Sequence, residues 1–432
     1  MLIEFRLKNF KSFRDEQVLS LVASADHSLP QNVVELPGDK KLRVLKSAVL
    51  YGANASGKTN LLDALIFVRH FVRSSATKEP SEKIEVSPFL LESETSHSPS
   101  LFELTFLQEG TIYQYGFAVD ETKVHQEWLT SYPKGRPRKL FSRSINEDGS
   151  ESYEFGPHLR GEKEKLREFT RPNALFLSVS ARFNNPQLTV VYGWFSKQLK
   201  SLDAHEDSGN LGIPCRIVEE RPALLADLKR MLVRADLGIV DVDIEVNPLQ
   251  LDTLPDQVPD ELRAFLTALA ADAASSVKQI SVGVFHQGTE GRIRFDMETE
   301  SNGTRQFFCL SAVTLSVIAD GAVLIVDELD ASMHPLLVRW LVQLFHDPES
   351  NPQNAQLIFN THDTTLLSAS LFRRDQIWLV EKNRDGASVA YSLLEYRPRK
   401  DEALEKGYLQ GRYGAIPFLG SPAHSVIDSG EA

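Results

Sequence analysis

The chain opens on an alternation of apolar and polar positions. Leu2-Ile3-Glu4-Phe5-Arg6-Leu7-Lys8-Asn9-Phe10 has the two-residue period of a half-exposed strand, and Val18 to Val22 reads as a second strand after a turn. Lys46 to Tyr51 is a short apolar run of the kind found in a buried strand. It leads through Gly52-Ala53-Asn54-Ala55-Ser56-Gly57-Lys58-Thr59 into Asn60 to Val72, where Leu61, Leu62, Leu65 and Val68 fall at helical spacing. The local order is therefore strand, glycine loop, helix. Segments 100–107, 112–119 and 124–130 alternate again and are broken by Glu109-Gly110 and Asp120-Glu121, which predicts an antiparallel meander.

Beyond residue 130 the pattern changes. A basic turn, YPKGRPRK, precedes charged helical stretches near 161–169 and 219–234, an alternating segment at 239–245, and an amphipathic helix within 258–277. The final third returns to α/β order: strands 280–286 and 292–299, helix 304–319, strand 322–327, helix 335–346, strand 355–360, helix 364–371 and strand 376–381. The chain shows neither an internal repeat nor heptads long enough for a coiled-coil arm. The pattern predicts an α/β fold assembled from both ends of the chain, 1–130 and 279–395. A mixed α/β lobe, 131–278, is inserted between them, and a tail follows at 396–432.

Composition narrows the class. With 432 residues, 42% hydrophobic and 25% charged, the chain has the make-up of a folded protein larger than one ordinary core. No run approaches the roughly 18 apolar residues of a membrane span, and MLIEFRLKNF lacks the apolar core of a signal peptide, so a cytoplasmic protein without membrane contact is expected. Cys215 and Cys309 form neither a CxxC pair nor a cluster with histidine, and read as small packing residues. A formal charge of −12 repels nucleic acid as a whole, so contact with DNA would need a local basic patch or a partner. Lys134, Arg136, Arg138, Lys139 and Arg143 could form such a patch or simply a solvated hairpin tip.

Candidate chemistry sits in three places. Gly52 to Thr59 matches the phosphate loop G-x-x-x-x-G-K-[ST] in full. Its glycines let backbone N–H groups face phosphate oxygens, Lys58 neutralises β/γ charge, and the Thr59 hydroxyl ligates Mg²⁺, with Asn60 following in the first helical turn. Val323-Leu324-Ile325-Val326-Asp327-Glu328 is a buried strand ending in two acids, Asp327 to hold Mg²⁺ through water and Glu328 to polarise the attacking water. Ser301-Asn302-Gly303-Thr304 precedes a helix, where a hydroxyl, glycine N–H groups and the helix dipole make an anion site. If the two loops face opposite edges of the lobe, this turn cannot serve Lys58 in the same chain, and a second copy must supply it.

These residues resemble the signature loop of ABC-type ATPases, and Thr361-His362-Asp363 resembles their switch histidine. The resemblance implies that His362 reaches the γ-phosphate and that the loop containing Asp330-Ala331-Ser332 crosses a dimer interface. More narrowly, IEFRLKNFKSF, YGANASGKTNLLDAL, SNGTRQ, VDELDASMHP, FNTHD and the tail GYLQGRYGAIP resemble the AAA-15/AAA-21 ATPases. These are relatives of the ATPase part of OLD-family proteins and of RloA/AbiL-like phage-defence ATPases. The narrower resemblance implies an ABC-type P-loop ATPase head that takes ATP and Mg²⁺ and forms a homodimer or a higher even-numbered oligomer. It would regulate or scaffold a separate nuclease-like effector and could contact DNA or a phage component. The alternative is an SMC/RecF-like DNA-maintenance ATPase. Two departures stand out. No glutamine stands clearly in the place of the Mg²⁺-sensing glutamine of ABC heads; Gln187 is a candidate but reads better as a loop residue. About 35 residues follow the last predicted strand, too few for the Toprim nuclease of OLD proteins. Asp241-Val242-Asp243 lies in an alternating strand and reads as solvent-facing acids.

Overall fold

A computed structural model of the chain describes residues 1–36, 39–146, 148–203, 210–248, 278–399 and 402–417. The amphipathic helix expected within 258–277 and the last residues of the GYLQGRYGAIPFLG tail lie outside them. The chain divides into two compact units, one of Met1–Leu202, Ile318–Asp330 and Val342–Ala432, the other of Asp203–Val317 and Ala331–Leu341.

The first unit is built on two large sheets. Strand β1 (Leu2–Lys8) pairs with β2 (Gln17–Ser20); a small hairpin, β3 (Val33–Leu36) and β4 (Asp39–Leu45), leads into β5 (Ser47–Tyr51). The expected meander is present as β6 (Ser100–Gln108), β7 (Thr111–Val119) and β8 (Val124–Tyr132), and continues through β9 (Arg138–Ile145) and β10 (Glu151–Phe155). All are antiparallel, in the order β10-β9-β8-β7-β6-β1-β2. Alternation along β6 places Phe102, Leu104 and Phe106 on the buried face, as a two-residue period requires.

The second sheet of this unit carries the strand that leads into the glycine loop and the strand that ends in Asp327. After β11 (Leu199–Asp203), and after β12 to β14 of the other unit described below, come β15 (Val323–Asp327), β16 (Gln356–Asn360), β17 (Ile377–Lys382) and β18 (Ser388–Ser392). The order is β11-β15-β16-β5-β17-β18, with β15, β16, β5 and β17 mutually parallel and β18 antiparallel at the edge. Parallel strands covered on both faces need continuous apolar runs, and every residue of β5 and β16 is buried. Gln356, wholly buried, joins the two sheets: its side chain accepts from Leu2 N at 2.6 Å and donates to Leu2 O at 2.9 Å and Leu45 O at 2.8 Å. The helix Lys58–Ser74 packs against this sheet through Leu61, Leu62, Leu65, Val68 and Val72, each contributing about 1.5–3 kcal/mol of burial. The α/β class with an antiparallel meander is thus the one the pattern predicts.

The second unit holds a three-stranded antiparallel sheet of β12 (Ile239–Pro248), β13 (Lys278–Gly288) and β14 (Gly291–Asp296), with helices Gly212–Glu220 and Leu224–Arg234. Three expectations are corrected. The single helix foreseen over 219–234 is two, because Pro222 cannot continue the first and Arg221 before it leaves helical geometry at φ −139°, ψ 73°. The helix foreseen over 364–371 is a 3-10 turn, Thr364–Leu366, followed by irregular chain; Asp363 takes Thr365 N at 2.9 Å and Ser368 takes Ser370 N, so side chains compete for the helical donors. The strand foreseen to 299 stops at Asp296, where Met297–Thr299 turns instead. Among the described residues no helix is long and apolar enough to cross a membrane.

Candidate functional site

The phosphate loop is shaped by close approach. A methyl group on Gly52 would lie 2.2 Å from the Val380 carbonyl oxygen of β17, and one on Gly57 would lie 2.3 Å from Ser388 Oγ. Gly57 also sits at φ +112°, in the region that disfavours side chains. It caps the helix Lys58–Ser74 without any side-chain hydrogen bond, so the first helical N–H groups have no side chain to satisfy them and can face an anion. Lys58, 5% exposed, folds back so that Nζ donates to Gly52 O at 3.0 Å and Ala53 O at 3.1 Å. Burial holds its ammonium below the ordinary lysine range, against the opposing pull of Glu328, Asp327 and Asp330. Ser56 Oγ is buried without a partner among the described residues, as a loop waiting for phosphate oxygens would leave it.

The acidic strand end lies opposite. Thr59 Oγ1 donates to Asp327 Oδ1 at 3.1 Å, and Asn360 at the end of β16 donates from Nδ2 to the same oxygen while its Oδ1 accepts Glu328 N. Glu328 is left-handed at φ +53°. Asp330 Oδ2 accepts His362 N at 3.2 Å. Asn54, Ala55, Ser56, Gly57, Lys58, Thr59, Asn60, Glu328, His362 and Lys382 line one cavity of about 410 Å³. A hydroxyl and a carboxylate meeting at 3.1 Å offer the hard oxygen donors that suit Mg²⁺, which takes only one or two protein ligands when phosphate and water complete its shell. The residues present fit that ion and a triphosphate.

The serine-bearing turn belongs to the second unit. Ser301 Oγ accepts Thr304 N at 3.1 Å and so caps the helix Asn302–Asp320. Ser301 and Asn302 are exposed and Thr304 is buried. Gly303 is the residue that fits there: a methyl group would stand 2.5 Å from the carbonyl oxygen of Ser332, itself left-handed at φ +56°. Phe307 stacks on Trp340 behind it, at 6.0 Å between ring centres.

Other sequence candidates fall elsewhere. Gln187 Nε2 donates to His158 O at 3.0 Å and its Oε1 accepts Arg160 N at 2.7 Å, so it staples a loop and does not line the phosphate-loop cavity. Asp241 pairs with Lys229 at 2.9 Å and Arg292 at 3.8 Å, as a strand acid does. In the basic run, Arg143 is buried, bonding Ala174 O at 2.8 Å and Glu151 at 3.0 Å, and Lys139 pairs with Glu154 at 2.6 Å; Lys134, Arg136 and Arg138 remain exposed. Cys215 and Cys309 are both buried.

Sequence reading missed several contributors. Ser12 Oγ accepts Asn60 Nδ2 at 2.7 Å and lies 2.8 Å from Ser388 Oγ beside the loop, and Lys382 reaches the cavity from the end of β17. The segment 402–417 braces the far side: Glu405 accepts Thr364 Oγ1 at 3.0 Å, Tyr408 packs on Tyr51 at 5.8 Å between ring centres, and Ala415 N donates to Glu381 at 2.7 Å. A second cavity of about 550 Å³, shared by Asn54, His362, Tyr51, Tyr408 and Ile416, lies there. Ser12, Tyr408 and Ala415 lie in segments that carry the family resemblance, IEFRLKNFKSF and GYLQGRYGAIP, but no local pattern marks their part in the site.

A family model described as "AAA domain, putative AbiEii toxin, Type IV TA system" matches residues 47–368. No curated protein matches the chain. Among solved structures the chain is similar to an SMC head domain from Thermotoga maritima, at 12% identity and TM-score 0.39, covering 90% of this chain and 98% of that one. It is also similar to the recombination mediator protein RecF bound to ATP, at 13% and 0.32, covering 83% and 93%. A third is the Smc head domain of Pyrococcus furiosus bound to the C-terminal domain of ScpA, at 14% and 0.35, covering 92% and 97%. At such values function does not transfer, and the site stands on its own geometry.

Proposed function

The chain belongs to the AAA-domain family, and from that premise we propose that it binds and hydrolyses ATP between two copies of itself. One observation carries this reading: Lys58, Thr59, Glu328 and His362 line a single cavity of about 410 Å³, with Asp327 bonded to Thr59 at its edge. Backbone N–H groups of the loop and Lys58 would hold the phosphates, Lys58 exchanging its two carbonyl partners for phosphate oxygens. Mg²⁺ would be held by Thr59 and, through water, by Asp327, and would neutralise charge on the β- and γ-phosphates. Glu328 takes the proton of the attacking water, and His362 donates to the γ-phosphate.

The exposed Ser301 and Asn302, with Gly303 and Thr304, form the cap that a second copy would place over that phosphate, and Asp330 begins the loop crossing between copies. Closing on ATP and opening after hydrolysis would then set the state of a separate effector, nuclease-like in the phage-defence reading; the family's description, which names a putative toxin of a toxin–antitoxin system, supports a link to a toxic partner and no more. A duplex-DNA clamp has weaker support, because only Lys134, Arg136 and Arg138 of the basic run remain exposed and unburdened by the pairings above.

The test is Glu328→Gln. ATP binding should persist, size-exclusion chromatography with light scattering should show an ATP-dependent dimer, and turnover should fall by roughly 10²- to 10⁴-fold. Hydrolysis at the parent rate would remove Glu328 as the base. For the effector, its regulation should differ between Glu328→Gln and Lys58→Ala proteins; identical regulation by both would remove nucleotide control.

A further inference from the structure

We propose that Asn360 is the positioning residue of the hydrolytic centre, fixing both the Mg²⁺-side acid and the general base from a neighbouring strand. This rests on the reading of Glu328 as base. Asn360 is 1% exposed and ends β16, beside β15. Its two amide functions are used in opposite senses: Nδ2 donates to Asp327 Oδ1, and Oδ1 accepts the backbone N–H of Glu328. The orientation is settled by chemistry, since a carboxylate oxygen can only accept there and a peptide N–H can only donate. Asn360 O also accepts Leu329 N at 3.2 Å, so three consecutive residues, Asp327, Glu328 and Leu329, are tied to this one position.

The consequence falls on Glu328. A non-glycine residue at φ +53° is held there by its surroundings, and the bond from its N–H to Asn360 is a direct restraint on that peptide. Left-handed geometry turns the strand sharply after Asp327, which is how the Glu328 side chain comes to line the cavity alongside Lys58 and His362. Asn360 and His362 leave the same strand end two residues apart, so the group that aligns the base and the group assigned to the γ-phosphate move as one piece. Near-isosteric replacements break this bridge: ionised aspartate lacks the donor, leucine lacks both functions, and serine is too short to span two partners.

The experiment compares Asn360→Ala, Asn360→Asp and Glu328→Gln with the parent, measuring steady-state kcat and KM for ATP and equilibrium binding of ADP, the latter as the control for folding. Asn360→Ala should lower kcat by about 10- to 100-fold while ADP binding stays within about threefold. Asn360→Asp keeps the acceptor for Glu328 N but loses the donor to Asp327, so its kcat should fall at least as far as that of Asn360→Ala, with ADP binding again within about threefold. Loss of ADP binding in step with kcat in either variant would make Asn360 a purely structural residue and overturn the proposal. If Glu328→Gln is slow while Asn360→Ala turns over at the parent rate, the positioning role alone fails; if Glu328→Gln itself is unimpaired, the underlying assignment of the base fails.

Discussion

At Gly57 two independent restraints coincide, a positive φ of +112° and a methyl position 2.3 Å from Ser388 Oγ. Either alone disfavours a side chain; together they couple the loop to Ser388, which also donates to Ser56 O at 2.6 Å. Gly57→Ala should cost about 1–2 kcal/mol from the backbone alone and shift the loop N–H groups away from phosphate. ATP titration should show at least tenfold weaker binding with a modest drop in melting temperature; unchanged binding would show that the loop tolerates a different path. Legibility at this scale depends on residue type. Lys58, Thr59, Asp327 and Glu328 are types that phosphate chemistry demands at set positions, so the sequence nominates them directly, whereas His362 was nominated by family resemblance alone; the structure lines one cavity with all of them but Asp327. Ser12 and Asn360 lie within segments that carry the family resemblance, and Lys382 in none, but the part each plays becomes visible only when β16, β17 and the turn after β1 become neighbours of the loop.

Among elements, the strands were the most legible, because burial on one or both faces imposes a period on their residues. The meander's first three strands and the parallel strands differ from expectation by a few terminal residues, whereas β9 was hidden by the basic composition of 134–143, which reads as surface although Arg143 turns inward, and β10 by its shortness and polar make-up, Glu151-Ser152-Tyr153-Glu154-Phe155. The end of the helix Pro335–His346 shows a second kind of hidden feature. His346 is 5% exposed, its Nε2 lies 2.8 Å from Ser47 Oγ on β5, and burial, with Lys46 nearby, pushes its imidazole down to about 3. An unfolded histidine takes a proton near pH 6.5; the folded one does so only near 3, so between these values the unfolded chain binds more protons and stability falls as pH falls. Urea unfolding should therefore weaken below pH 6.5 by up to about 1.4 kcal/mol per pH unit from this group. In His346→Gln that part of the slope should vanish; an equal slope in both proteins would show that His346 is charged when folded.

For the whole molecule, the proposed sharing of each ATP between two copies makes a prediction that no single chain can satisfy. Lys58→Ala lacks a phosphate grip but keeps its cap, and Ser301→Arg, on an exposed residue, blocks the cap but keeps its grip. Neither should hydrolyse ATP alone. Mixed in equal amounts, random pairing gives one intact composite site in half the dimers, so roughly a quarter of parent turnover should return if sites act independently. Absence of any recovery would mean that each chain hydrolyses ATP by itself. The division of labour between chain ends was readable, because the phosphate loop and the acidic strand are far apart in sequence yet must meet. The bracing role of 402–417 was not: GYLQGRYGAIP carries family resemblance, but aromatic and acidic residues in a tail have no period that tells what they pack on.

That brace has a practical corollary. Glu405 holds Thr364 two residues beyond His362, and Ala415 holds Glu381 one residue before Lys382, so the tail grips the cavity lined by His362 and Lys382 at both lips. Clipping the chain ahead of Leu404 would leave both sheets intact and the protein outwardly healthy in circular dichroism, yet slacken the histidine turn. A proteolysed preparation would then look well folded and still be idle.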